Sequence, residues 1–149
     1  MPYTLTISGK VYSLQPQKVM GILNLTPDSF FADSRCTGTA GTAIADEALR
    51  RVERMLADGL DILDLGAVST RPGSQAPSAE EEWRRLEAPL RLIARHFPDL
   101  PVSIDTYRAD IARRCVENSR DGGTGICQPQ CGAGAGGSTG GNLQSSAGV

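Results

Sequence analysis

The chain has one histidine, His96, and four cysteines, of which only Cys127 and Cys131 lie close together while Cys36 and Cys115 stand apart. A structural zinc site takes about four Cys or His ligands, so this set points to reduced thiols and not to a zinc centre. There is no excess of positive charge: 15 Lys and Arg face 17 Asp and Glu, a net −2. That excludes the basic footprint by which nucleic acid or an anionic membrane surface is bound. No run of about 18 apolar residues occurs, so no transmembrane helix is expected. The opening MPYTLTISGKVYSL lacks the charged-then-apolar layout of a signal peptide. These absences leave a cytoplasmic location as the default expectation. What is present is ordinary globular composition, 40% hydrophobic and 21% charged, in 149 residues, enough for one domain.

Residues 3–14 alternate around Gly9-Lys10 and read as a short hairpin. Val19 to Leu23 is a short apolar run bounded by Pro16 and Asn24, a buried strand. A loop to Gly41 follows. Ala45, Ala48, Leu49, Val52, Met55 and Leu56 then recur at helical spacing, and Gly59 stops that helix. Ile62 to Leu65 is a second strand and residues 66–77 its loop. Ser78 and Glu81 form a capping-box pattern. Trp83, Leu86, Leu90, Ile93, Ala94 and Phe97 give the helix one apolar stripe, with a kink expected at Pro89. Val102-Ser103-Ile104 is a third strand, ended by Asp105, and residues 108–116 look helical, with Ile111, Ala112, Cys115 and Val116 inward. Strand and helix alternate three times, which implies parallel strands covered by helices. Periodicity alone leaves open whether such a sheet closes into a barrel.

In either architecture the chemistry sits at the carboxyl ends of the strands. Asn24 follows the first strand, Ser69-Thr70-Arg71-Pro72-Gly73 follows the second, and Asp105 ends the third. Each has two readings. Asn24 can offer a carbonyl oxygen to a hard cation such as Mg²⁺, or merely cap its strand while Thr26-Pro27-Asp28 turns. Arg71 can grip a phosphate with its planar fork, or be an incidental cation on a solvent-facing loop. Asp105, costly to bury without donors, can receive ligand N–H groups or cap the following helix.

Together these segments resemble dihydropteroate synthase. The family's first signature is similar to Gly21-Ile22-Leu23-Asn24-Leu25-Thr26-Pro27-Asp28-Ser29-Phe30, its second to Asp64-Leu65-Gly66 with Ser69-Thr70-Arg71-Pro72-Gly73, and its third to Ser103-Ile104-Asp105-Thr106. The match runs over residues 18–117, and Ala67-Val68 departs from the Gly-Glu often found there. The resemblance implies a TIM (β/α)8 barrel, of which this chain holds about three strand–helix units. It implies a transferase that joins a pterin pyrophosphate to p-aminobenzoate, the sulfonamide target of folate synthesis, with Mg²⁺ as cofactor. It also implies roles for residues. Asn24 would coordinate the Mg²⁺. Thr70 and Arg71 would belong to a mobile loop over pyrophosphate and p-aminobenzoate, and Pro72 would shape the p-aminobenzoate pocket. Asp105 would bind the pterin nitrogens, and the Phe30–Arg35 loop would be a second lid. No covalent nucleophile is needed. The related pterin-binding domain of a methyltetrahydrofolate methyltransferase is the alternative, and the Ser69–Gly73 loop favours the synthase because a pyrophosphate leaving group needs a cationic clamp. No nucleic-acid or membrane partner is implied.

Residues 118–149 break the pattern. Ten of these 32 residues are Gly, and Ile126, Leu143 and Val149 are the only large apolar ones. Such a segment buries too little apolar surface to order itself, and without a lysine it is no phosphate loop. The reading therefore divides the chain into a partial pterin-binding barrel, 1–117, and a disordered Gly/Ser-rich tail, 118–149, as a frameshift or gene-model error near residue 118 would produce. A truncated, non-catalytic fragment is then expected, with the family's homodimer doubtful for half a barrel.

Overall fold

The computed structural model describes residues 3–7, 10–26, 40–68, 75–119 and 125–129. The N-terminal hairpin is as expected. Strand β1 (Thr4–Ile7) pairs antiparallel with β2 (Lys10–Ser13), Thr4 opposite Ser13. Leu14 N–H donates to the Tyr3 carbonyl and extends the pairing.

The rest alternates: β3 (Met20–Asn24), α1 (Ala40–Ala57), β4 (Ile62–Gly66), α2 (Ala79–His96), β5 (Val102–Thr106), α3 (Ala109–Ser119) and β6 (Gly125–Pro129). Strands β3 to β6 form one sheet in sequence order, each neighbour parallel. This corrects the expectation that ordered structure ends at residue 117. Helix α3 runs to Ser119 and a fourth parallel strand pairs Val102 with Gly125 and Thr106 with Pro129. Gly-Ile-Cys-Gln-Pro is too short and too polar to signal a strand alone, and the open edge of β5 supplies its partner groups. The expected disorder of the remaining tail lies outside the described residues.

Local chemistry explains the element ends. Gly59 has φ +101°, a conformation that side chains with a Cβ resist. Around it Gly59 N–H donates to the Leu56 carbonyl and Leu60 N–H to the Met55 carbonyl, which closes α1 in a Schellman motif. At the start of α2, Ser78 Oγ accepts from Glu81 N–H at 3.2 Å, half of the expected capping box. The other half is absent because the Glu81 carboxylate engages Arg84 and Arg85 instead. Helix α2 continues through Pro89, which is buried.

Sheet register is set at the bottom of β3. Asp61 accepts from Val19 N–H at 2.9 Å and Lys18 Nζ at 3.0 Å, and its carboxyl is held below the usual range by the backbone bond first and Lys18 second. One face of the sheet presents Leu23, Leu63, Leu65, Val102 and Ile104 to Ala48 and Val52 of α1, Leu86, Leu90 and Ile93 of α2, and Ile111 and Cys115 of α3. Burial of this face supplies the main driving force. The opposite face is another matter: Met20 and Ile22 on it remain 50% and 63% exposed. Among the described residues no helix is long and apolar enough to cross a membrane.

Leu90, 2% exposed in this core, sets the scale for packing loss. Leu90→Ala is expected to lower unfolding free energy by about 2–5 kcal/mol, and Gly59→Ala by about 1–2 kcal/mol. Urea unfolding measures both, and a core cost no larger than the Gly59 cost would contradict this packing.

Candidate functional site

Parallel pairing sets the carboxyl ends of three strands level. Asn24 lies opposite Gly66, and Gly66 opposite Asp105. One step below, Ile22, Asp64 and Ser103 are in register. Strand alternation puts all six on one face, away from the helices. Gly66 is the gap in this row. A Cβ placed there would lie 3.4 Å from Asn24 Oδ1, 3.5 Å from Asp105 Cβ and 3.7 Å from Asp105 Oδ2. The amide and the carboxylate thus lean toward each other over a backbone floor that carries no side chain.

Two of the expected site residues, Asn24 and Asp105, are therefore brought together. Thr70, Arg71 and Pro72 lie outside the described residues, as does the Phe30–Arg35 segment. Of the two readings of Asp105, helix capping fails. Helix α3 starts at Ala109, and the turn amide of Arg108 donates to Thr106 Oγ1 at 3.2 Å, not to Asp105. Among the described residues no hydrogen-bond donor reaches the Asp105 carboxylate. Its pKa is raised, by burial first, then by the charges of Asp64 and Glu82. A half-buried acid that meets no hydrogen-bond donor among the described residues has the free acceptor capacity that ligand N–H groups could fill.

One residue of this region escaped the sequence reading. Glu82 is fully buried in the first turn of α2. It accepts from Thr106 Oγ1 at 2.6 Å and forms an ion pair with Arg108. Arg108 also donates to the Pro77 carbonyl at 2.6 Å, and Arg85 donates to the Ala67 carbonyl at 3.2 Å. The signal was there: Glu82 sits four residues before Leu86, on the apolar stripe it shares with Leu90 and Ile93. A carboxylate at a core position of a helix needs buried partners, and Arg108 is the cation that follows the next strand.

Among the described residues no group of three His, Cys, Asp or Glu is arranged to hold a metal ion. The oxygen donors present, the exposed Asn24 amide above all, suit a hard cation that takes most of its ligands from substrate phosphate and water.

A row of polar groups at the carboxyl edge of a parallel, helix-covered sheet is the arrangement of an α/β enzyme. The profile of the pterin binding enzyme family matches residues 20–126, and the chain belongs to that family. The match carries the family past residue 117, the boundary expected from composition. The curated proteins it resembles are dihydropteroate synthases. It is 42% identical over 99 residues to that of Clostridium beijerinckii, covering 66% of this chain and 34% of the other. It is 43% identical over 103 residues to that of Streptococcus pyogenes serotype M1, covering 69% and 36%. Among solved structures it resembles Xanthomonas albilineans dihydropteroate synthase with 4-aminobenzoic acid, at TM-score 0.68 and 33% identity over 79% of this chain and 41% of that one. It also resembles Burkholderia cenocepacia dihydropteroate synthase complexed with 7,8-dihydropteroate, at TM-score 0.62 and 32% identity over 83% and 36%. The chain spans about a third of the length of these curated relatives.

The raised pKa of Asp105 carries a sign. The folded chain binds this proton more tightly than the unfolded one, so stability falls as pH rises from the ordinary value of 3.8 through the folded-state value. Asp105→Asn is expected to be the more stable protein at neutral pH, with the difference shrinking as pH falls through the folded-state value to 3.8 and changing no further below it. Thermal melts across that range test this, and a variant less stable at neutral pH would count against the site geometry.

Proposed function

We propose that this chain carries the pterin- and pyrophosphate-facing strands of a dihydropteroate synthase, and that β3 to β6 are half of the eight-stranded barrel of such an enzyme. The observation that carries the reading is the pairing of Asn24 and Asp105 over the bare Gly66 floor. That geometry fits a flat heterocycle whose ring nitrogens donate to Asp105 and whose pyrophosphate arm reaches toward Asn24. The synthases among the relatives, and the Ser69–Gly73 segment with its cationic Arg71, favour this over a methyltransferase.

In the proposed reaction the amine of p-aminobenzoate attacks the pterin methylene carbon. The carbon–nitrogen bond forms as the carbon–oxygen bond to pyrophosphate breaks. Pyrophosphate leaves with the electron pair, and the amine releases a proton to solvent. Asp105 orients the pterin through its N–H groups and offsets the positive charge that develops on the ring. Thr70 and Arg71 bind the pyrophosphate, and Pro72 borders the p-aminobenzoate. Asn24 would hold a Mg²⁺, which when bound offsets the charge on the leaving pyrophosphate.

The described sheet ends at β3 on one side and β6 on the other, and Met20 and Ile22 face outward on its open side. A polypeptide of these 149 residues alone is proposed to bind ligand without completing the water-excluding enclosure that turnover needs. Its rate of dihydropteroate formation is expected to be at least about a hundredfold below that of a full-length synthase. A rate close to the full-length value would refute that.

Calorimetry with 6-hydroxymethyl-dihydropterin pyrophosphate tests the binding roles. Mg²⁺ is expected to tighten binding in the parent chain and not in Asn24→Ala. Asp105→Asn is expected to weaken binding about ten- to a hundredfold, the loss of a charge-assisted hydrogen bond. Affinity indifferent to both Mg²⁺ and Asp105 would sink the reading.

A further inference from the structure

We propose that Glu82 is a positioning residue for the pterin-facing end of β5, acting through Thr106 and Arg108 to hold Asp105 toward the ligand. The proposal rests on the pterin site proposed above. Successive residues of a strand point to opposite faces. Asp105 faces the open side of the sheet, and Thr106 faces α2, where its hydroxyl donates to the fully buried Glu82 at 2.6 Å. The same hydroxyl accepts from Arg108 N–H at 3.2 Å, so donor and acceptor sides are both engaged and its orientation is set. Arg108 closes the ring with an ion pair to Glu82 and a bond to the Pro77 carbonyl at 2.6 Å. The partners of Glu82 thus stand one and three residues after Asp105, and Arg108 ties them to the segment before α2.

Stability alone does not explain the cluster. A buried ion pair is often matched or bettered by apolar side chains of the same volume. What this one supplies and apolar packing does not is direction: it prevents β5 from rotating about its axis at the residue next to the pterin-binding carboxylate. Displacement of a site residue by about an ångström is enough to lose much of its affinity.

The experiment uses the 149-residue chain and 6-hydroxymethylpterin, which probes the ring end of the site without the pyrophosphate arm. Glu82→Gln keeps the shape and the acceptor for Thr106 but strips Arg108 of its charge partner. It is expected to weaken binding about tenfold, the usual scale for loss of an outer-sphere support. Arg108→Lys, which keeps the charge pair, should stay within about threefold of the parent on the same scale. Leu90→Ala is the control for destabilisation without contact to the cluster, and should leave affinity unchanged. Hydrogen exchange at the Arg108 amide gives a readout independent of ligand: protection should fall in Glu82→Gln and hold in Leu90→Ala. If Glu82→Gln does not fold, Thr106→Val cuts the same link from the other side and takes its place. Parent-like affinity and protection in the folded variant overturn the proposal, and so does an equal loss of affinity in Leu90→Ala. If the parent chain binds no pterin, the site reading falls, and the exchange measurement still decides what Glu82 holds in place.

Discussion

The whole site hangs on level strand ends. Asn24, Gly66 and Asp105 are far apart in sequence, and they meet because parallel pairing runs from Met20 opposite Ile62 up to Gly66 opposite Asp105 without a break. A slip of one residue in β4 would turn Leu65 toward the open face and Gly66 into the helices. The core prevents that slip, because it would drive Asp64 in among Leu86, Leu90 and Ile93. Asp61, bonded to Val19 and Lys18, fixes the register from below.

The two faces of the sheet divide the labour. One is aliphatic and closed by three helices, and it supplies the burial that holds the fold. The other carries Asn24, Asp64, Ser103 and Asp105. Burial and the nearby charge of Asp64 raise the proton affinity of Asp105 there, so its charged form opposes folding. A face arranged in this way adds little to the stability of the fold. The Glu82 cluster lies where the two faces meet: a charge on the core side whose partners are the residues that follow Asp105.

Much of the fold was readable in the residues. The apolar runs Val19–Leu23, Ile62–Leu65 and Val102–Ile104 became β3, β4 and β5, and the stripe from Trp83 to Phe97 became the buried side of α2. Strong periodicity, a clear stop signal at Gly59 and a clear start signal at Ser78 made this possible. Strand β6 was not readable, because five residues with one large aliphatic side chain gain their structure from the neighbouring strand's free backbone groups. The buried state of Glu82 was overlooked for a related reason: a helix pattern shows where a charge falls, and only the neighbouring elements show what neutralises it.

The sequence by itself determined the element order from β1 to α3, the parallel sense of the sheet and the family signatures, since spacing and residue type act over a few neighbours. It also marked Asn24 and Asp105 as residues at strand ends. Only the tertiary structure decided that these two lean over Gly66, that Thr106 and not Asp105 takes the Arg108 amide, and that Glu82 is neutralised from the far end of β5. Those outcomes depend on register and on contacts between elements distant along the chain, and hydrogen bonds and buried charges find their partners in space.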